Sequence, residues 1–459
     1  MKELTLAEHR ARFRNINSAE ANNLTYLRRY RIRDYMPGQA VYNLGDYPKR
    51  FSIEPTEYDY NMLKDMAEKG VELIQIHEEW NDSIRHLGAD KFSSFDPDGL
   101  KHFVELCHSF GLKIIPYISS GYFHLYDPDF REEFSLRENN CATGVHFLYR
   151  RCSASSAHWR EYLLPRTFRV LDQYGFDGIY NDWGYDSFYK MNGFLQKDGI
   201  GNYDPDIEDL VSTIYSEVKR RGGTYKIHCD FNDGPPCIDR VYDYLWIGEG
   251  MKESSAGAGK TFRPYVVPCQ DKARFNLTPL DEYFAKVIPF MQFPLLTTRG
   301  RPLMGRRIEE DVPFYNRDLS DLTSEYALYK RIAEHMKAHP EGPYIYSLWS
   351  SVPDDPGEYD CWCKYLSLYR PMVEENSVAY IELRDCRDIL SPLPENIYAS
   401  MFVNEEKYLV VSNLTKERYE LCLRDTWVER VTGEKNRVFY IEPGKIIFLK
   451  FGGIDLSIM

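Results

Sequence analysis
The chain has no apolar run approaching the roughly 20 residues that a membrane-spanning helix needs. Its N-terminus, Met1-Lys2-Glu3-Leu4-Thr5, lacks a basic stretch followed by an apolar one. No secretory signal is read there, and a cytoplasmic location is expected. Cysteine is thinly spread: ten residues are scattered from Cys107 to Cys422 without a paired framework, so reduced, mostly buried thiols are expected. Positive charge is in deficit, 57 Lys+Arg against 70 Asp+Glu, for a net charge of -13. Such a balance repels phosphate backbones and anionic lipid, which argues against nucleic acid and membrane surfaces as partners. His-x-His and His-Glu-x-x-His are both missing, and Cys361-Trp362-Cys363 fits no usual zinc or redox spacing. Repeats and low-complexity segments are absent as well.

What is present suits a folded enzyme. The 459 residues are 43% hydrophobic and 15% aromatic, with 36 Tyr, enough for a barrel of roughly 250 to 350 residues and a smaller domain. From residue 39 to 375, short β-rich runs alternate with amphipathic ones, the pattern of a parallel α/β fold. The strand candidates are Ala40 to Gly45, Val71 to His77, Leu112 to Ile118, Phe176 to Asp182, Tyr225 to Asp230, Val241 to Gly248, Phe290 to Thr297 and Pro343 to Trp349. Eight strands close a (β/α)8 TIM barrel. Asp96-Pro97 and Asp204-Pro205 mark helix starts, with Asp as cap and Pro in the first turn, and Gly70, Gly111 and Gly175 mark ends. Pro165 falls inside a helical pattern from about Ala157 to Tyr174, so that helix should kink or start later. Long connections follow the third strand (Ser119 to about Ser156) and the sixth (Gly250 to Leu277), on the side where barrel active sites form. Residues 376–459 read as a C-terminal antiparallel β-sandwich. Residues 1–38, rich in Arg, read as an arm packing on the barrel.

The run Gly175-Phe176-Asp177-Gly178-Ile179-Tyr180-Asn181-Asp182-Trp183 carries a buried-strand pattern that ends in a carboxylate beside an indole. Sugar-cleaving barrels need a carboxylate at the open end of a rigid strand and an aromatic face for the pyranose. Retaining cleavage needs a second carboxyl about 5 to 5.5 Å away, ionised and protonated partners in one site. Glu249, in Trp246-Ile247-Gly248-Glu249-Gly250, supplies one after the sixth strand. Asp230 competes with it as proton donor. Glu79, Asp186 and Asp230 are candidates for sugar hydroxyls, and Trp80, Tyr122, Trp183 and Trp349 for sugar contacts. Arg299, in a cluster with Arg301, Arg306 and Arg307, is a candidate for an anionic group. Gly259-Lys260-Thr261 suggests a phosphate loop, but Ser254 stands where its first glycine belongs.

With these residues in view, Gly175 to Asp186 and Tyr244 to Gly250 resemble the fourth and sixth strand ends of retaining glycoside hydrolases of the α-galactosidase (melibiase) type and their barrel relatives. The resemblance implies a barrel followed by a β-sandwich, with Asp182 as nucleophile and Glu249 as acid/base. That group usually carries a Lys two residues before the nucleophile and an Asp as acid/base, where this chain has Tyr180 and Glu249. A galactoside preference therefore does not carry over, while glycoside hydrolysis, with an α-glycoside expected, does. No cofactor or metal is expected. The expected partners are a small-molecule or oligosaccharide substrate and, as an option, a second copy of the chain. Two other readings stand beside this one. The first is a metal-dependent sugar isomerase or lyase using His77, Glu79, His228 and Asp230. The second is a carbohydrate-binding protein without turnover.

Overall fold
The computed structural model describes residues 3–45, 52–81, 92–94, 96–124, 129–135, 142–143, 148–182, 195–197, 200–228, 237–248, 264–270, 278–301, 306–307, 344–345 and 355–453. They fall into two compact units: Gln39–Ile247 with Leu296–Pro356, and Met1–Gly38 with Gly248–Leu295 and Gly357–Met459.

The first unit alternates strand and helix: β1 (Gln39–Val41), α1 (Glu57–Glu68), β2 (Leu73–Ile76), α2 (Pro97–Ser109), β3 (Lys113–Ser119), α3 (Ala157–Tyr174), β4 (Gly178–Asp182), α4 (Pro205–Arg220), β5 (Thr224–His228) and β6 (Tyr244–Ile247). All six strands are parallel and follow one another across the sheet in chain order. Every residue of β2, β4, β5 and β6 is buried, as expected where a parallel sheet is covered on both faces. Beyond β1 the sheet nearly closes: Leu296 N–H donates to the Gln39 carbonyl at 3.1 Å and Val41 N–H to that of Leu296 at 2.7 Å.

That contact changes the expected strand count at the end of the barrel. The run Phe290 to Thr297 was expected as the seventh strand, yet its Leu296 stands beside β1, the place of the last one. A three-residue strand, Val266–Pro268, occurs instead inside what read as a long loop, and Leu295 N–H donates to Pro268 there. Three residues ending in proline leave too short a pattern to register. The described part of the expected eighth strand, Tyr344–Ile345, pairs with Arg306–Arg307.

Local signals held at the helix ends. Asp96 accepts from Gly99 N–H at 3.1 Å, and Asp204 from Asp206 and Ile207 at 2.9 and 3.1 Å. Ser156 caps α3 through Trp159 N–H at 3.2 Å. α3 then runs through Pro165 to a left-handed cap at Gly175, so no later start occurs.

The second unit holds one continuous antiparallel sheet of seven strands, in the order Asn23–Arg31, Val378–Cys386, Ile397–Val403, Lys407–Asn413, Lys445–Gly453, Tyr419–Glu429, Lys435–Ile441. A two-sheet sandwich was expected. The strand Tyr419–Glu429 shifts register between Cys422 and Trp427: its first half pairs with Lys435–Ile441 alone, and its second half pairs with both Lys435–Ile441 and Lys445–Gly453. The sheet thus wraps one core that includes Trp427, Leu421, Met401, Leu409 and Phe439. The N-terminal arm is a helix, Leu6–Asn22, followed by the edge strand Asn23–Arg31. Its arginines find acids within this unit: Arg12 with Glu374, Arg28 with Glu382, Arg29 with Glu20.

Candidate active site
Asp182 is the last residue of β4, at the carboxyl end of a mid-barrel strand. Alternate residues of a strand share a face, so Tyr180 and Asp182 project together. The parallel register aligns Tyr117 with Tyr180, Tyr180 with Lys226 and Lys226 with Tyr244; one row on, Ser119 stands beside Asp182 and His228 beside Trp246. These side chains meet residues from strands that are not neighbours in the sheet, so they line the barrel interior. Tyr180 of β4 and Trp246 of β6 have ring centres 5.2 Å apart. His77, the residue after β2, lies 5.8 Å from Tyr180 and 6.1 Å from Trp246.

The opposite face of the same strand end is pinned. Asn181 donates to the Ser120 hydroxyl of the chain leaving β3 at 2.9 Å and to Tyr225 of β5 at 2.6 Å, and accepts from Ser120 N–H at 3.1 Å. One side chain therefore ties β4 to β5 and to the chain leaving β3 behind Asp182. Gly178, at the start of β4, has φ 148, and a Cβ there would stand 1.8 Å from the Thr224 carbonyl. Only glycine lets β4 approach β5 so closely.

On the inner face, the Asp182 carboxylate and the His228 ring are hydrogen-bonded, Oδ1 to Nδ1 at 2.7 Å, each side chain only 8% exposed. The imidazole lies against the Trp246 indole, with ring centres 4.2 Å apart, and near Tyr180 at 6.4 Å. The second carboxylate oxygen of Asp182 has no hydrogen bond to any described residue. Lys226 is fully buried one row below. Burial and the charges of Lys226 and His228 push His77 down to about 3, so its imidazole stays neutral at physiological pH.

Glu79 and Trp80 lie in the short turn Glu78–Trp80 after β2. Glu79 is 1% exposed. Trp80 is fully buried, its indole N–H donates to the Tyr117 carbonyl at 3.0 Å, and Tyr174 and Phe176 pack on its ring. It offers no open face to a sugar. Tyr122 begins the strand Tyr122–His124, which pairs with Leu148–Arg151 in the connection after β3. The Arg299 carbonyl accepts from Asn43 beside β1. Its neighbour Arg301 is wholly engaged: it forks onto buried Asp59 with two bonds of 2.9 Å and donates to the Ser52, Ile53 and Glu54 carbonyls. Glu249, Trp183, Asp186, Asp230 and Trp349 lie outside the described residues. Among the described residues, no three His, Cys, Asp or Glu converge as a metal site.

The sequence reading did not find Asn181, Lys226 or the pairing of His228 with Asp182. The signal was there in outline, because Lys226 and His228 repeat on β5 the two-residue spacing of Tyr180 and Asp182 on β4.

No family model matches this chain, and no curated protein matches it in sequence. Solved structures do match its fold. An Anoxybacillus α-amylase, described as revealing a new glycosyl hydrolase subclass, superposes with a TM-score of 0.55 at 9% identity, covering 92% of this chain and 100% of its own. The noncanonic maltogenic α-amylase AmyB from Thermotoga neapolitana gives 0.54 at 13% identity, covering 91% and 97%. The fold shared with these two proteins is a TIM barrel with a C-terminal β domain. It is not specific to the melibiase type.

Proposed function
We propose that this protein is a retaining glycoside hydrolase acting on an α-glycoside, with Asp182 as nucleophile and Glu249 as acid/base. The observation that carries the reading is the Asp182 carboxylate, buried at the carboxyl end of β4 on an inner wall of Tyr180, Trp246 and Tyr117. Barrel enzymes place their chemistry at that end of the strands. The likeness of the fold to α-amylases supports an α-linkage.

In the first step the free oxygen of Asp182 bonds to the anomeric carbon as the bond to the leaving oxygen breaks, and Glu249 gives that oxygen its proton. In the second, water gives its proton to Glu249 and bonds to the anomeric carbon, and the electron pair of the ester bond returns to Asp182.

A panel of 4-nitrophenyl α- and β-glycosides tests the reading. An α-glycoside should be cleaved, and Asp182→Asn should lower kcat by about 10³-fold or more without a change in thermal midpoint. Glu249→Gln should lose less on substrates with activated leaving groups. Asp182→Gly with added azide should release a glycosyl azide of inverted configuration. Asp182→Asn with undiminished activity would end the assignment.

A further inference from the structure
We infer that His228 is the positioning residue of the nucleophile, and that its hydrogen bond to Asp182 acts chiefly in release of the sugar rather than in its capture. The inference rests on the glycosidase reading above and assigns a second residue to the same site.

The geometry points one way. The Nδ1 to Oδ1 contact is 2.7 Å and nearly water-free, with both side chains 8% exposed. A donor facing a carboxylate at this distance in a low-dielectric site is a strong, charge-assisted bond. Rotation of the ring is limited by Trp246, 4.2 Å away between centres, and β4 is tied to β5 and to the chain leaving β3 by Asn181. Because Oδ1 is taken, Oδ2 is the oxygen left to attack. Once the sugar is bound through Oδ2, Oδ1 becomes the carbonyl oxygen of a neutral ester. When the ester bond breaks, negative charge returns to the carboxylate, and the Nδ1–H of His228 already faces it. A donor aimed where charge develops speeds that step. The same bond steadies the free carboxylate before attack and weakens as the neutral ester forms, so capture of the sugar gains nothing from it.

The test uses the full chain and the 4-nitrophenyl α-glycoside that the wild type cleaves fastest. His228→Phe keeps a ring against Trp246 and removes the donor; His228→Asn restores an N–H close to the Nδ1 position. His228→Phe should lose about 10²-fold in kcat, the usual cost of one such donor, while kcat/KM falls by less than about tenfold because KM falls too. Acid-quenched enzyme should show a covalent mass increase of one glycosyl unit in His228→Phe and little in the wild type. His228→Asn should recover kcat to within about tenfold of wild type. A merely structural role would lower kcat and kcat/KM together and build up no adduct, which would overturn the inference, as would wild-type kinetics in His228→Phe. If Asp182→Asn cleaves the glycoside as fast as the wild type, the assignment of Asp182 as nucleophile falls, and this inference with it. If Asp182→Asn is dead and His228→Phe behaves as wild type, only the present inference does.

Discussion

His77 sits between Tyr180 and Trp246 with Lys226 and His228 acting on its charge, and its imidazole is held neutral down to about 3. The unfolded chain binds a proton at His77 near 6.5, whereas the folded one does not until far lower. A depressed histidine therefore contributes stability that is full above 6.5 and is lost as pH falls toward 3. In thermal melts across that window, His77→Gln should show a shallower fall in midpoint than the wild type; parallel curves would show that His77 is not the group responsible. Arg301 gives the contrasting case. It read as a candidate for an anionic ligand, but its fork is spent on Asp59, which also accepts from Tyr42 at 2.7 Å. Removing one partner would strand a buried charge, so Arg301→Ala should cost about 3–5 kcal/mol in urea unfolding.

At the level of single strands and helices, the tightest constraint is where β4 meets β5. Gly178→Ala would press a methyl into the Thr224 carbonyl, 1.8 Å from the ideal Cβ position, at a φ of 148 that L-residues avoid. The expected loss is roughly 3 kcal/mol or more, and because Asp182 ends the same strand, activity should fall with it. A variant as stable as wild type would show that β4 can shift away from β5. The helix caps are milder. Asp96 holds Gly99 and Ile53 N–H and the Ser52 hydroxyl, so Asp96→Ala should cost about 1–2 kcal/mol by chemical denaturation.

For the molecule as a whole, the N-terminal arm joins a sheet built from the far end of the chain. Its strand Asn23–Arg31 pairs with Val378–Cys386 and forms the edge of the antiparallel sheet. Deleting residues 1–31 would bare the nine-residue strand Val378–Cys386, most of it buried in the intact protein. A long apolar edge pairs with whatever strand it meets. The truncated protein should aggregate, by light scattering and gel filtration, under conditions where the full chain stays dispersed. A monodisperse truncation would show that this edge is protected by other means.

Most of the local grammar was legible in the residues. Asp-Pro pairs announced helix starts, Gly175 announced a helix end, and Asp182 could be placed at a strand terminus, because capping and pleat periodicity act over a few neighbouring positions. What reads over long separations was not. The strand Val266–Pro268 was three residues long, and the arm joined a sheet some 350 positions away, as the Arg31 to Val378 pairing shows. His228 became the partner of Asp182 because parallel register puts β5 beside β4 with both side chains turned inward. Pairing of strands depends on closure of the whole barrel, and no pattern within a single stretch of chain encodes which distant side chain will stand 2.7 Å from a given carboxylate.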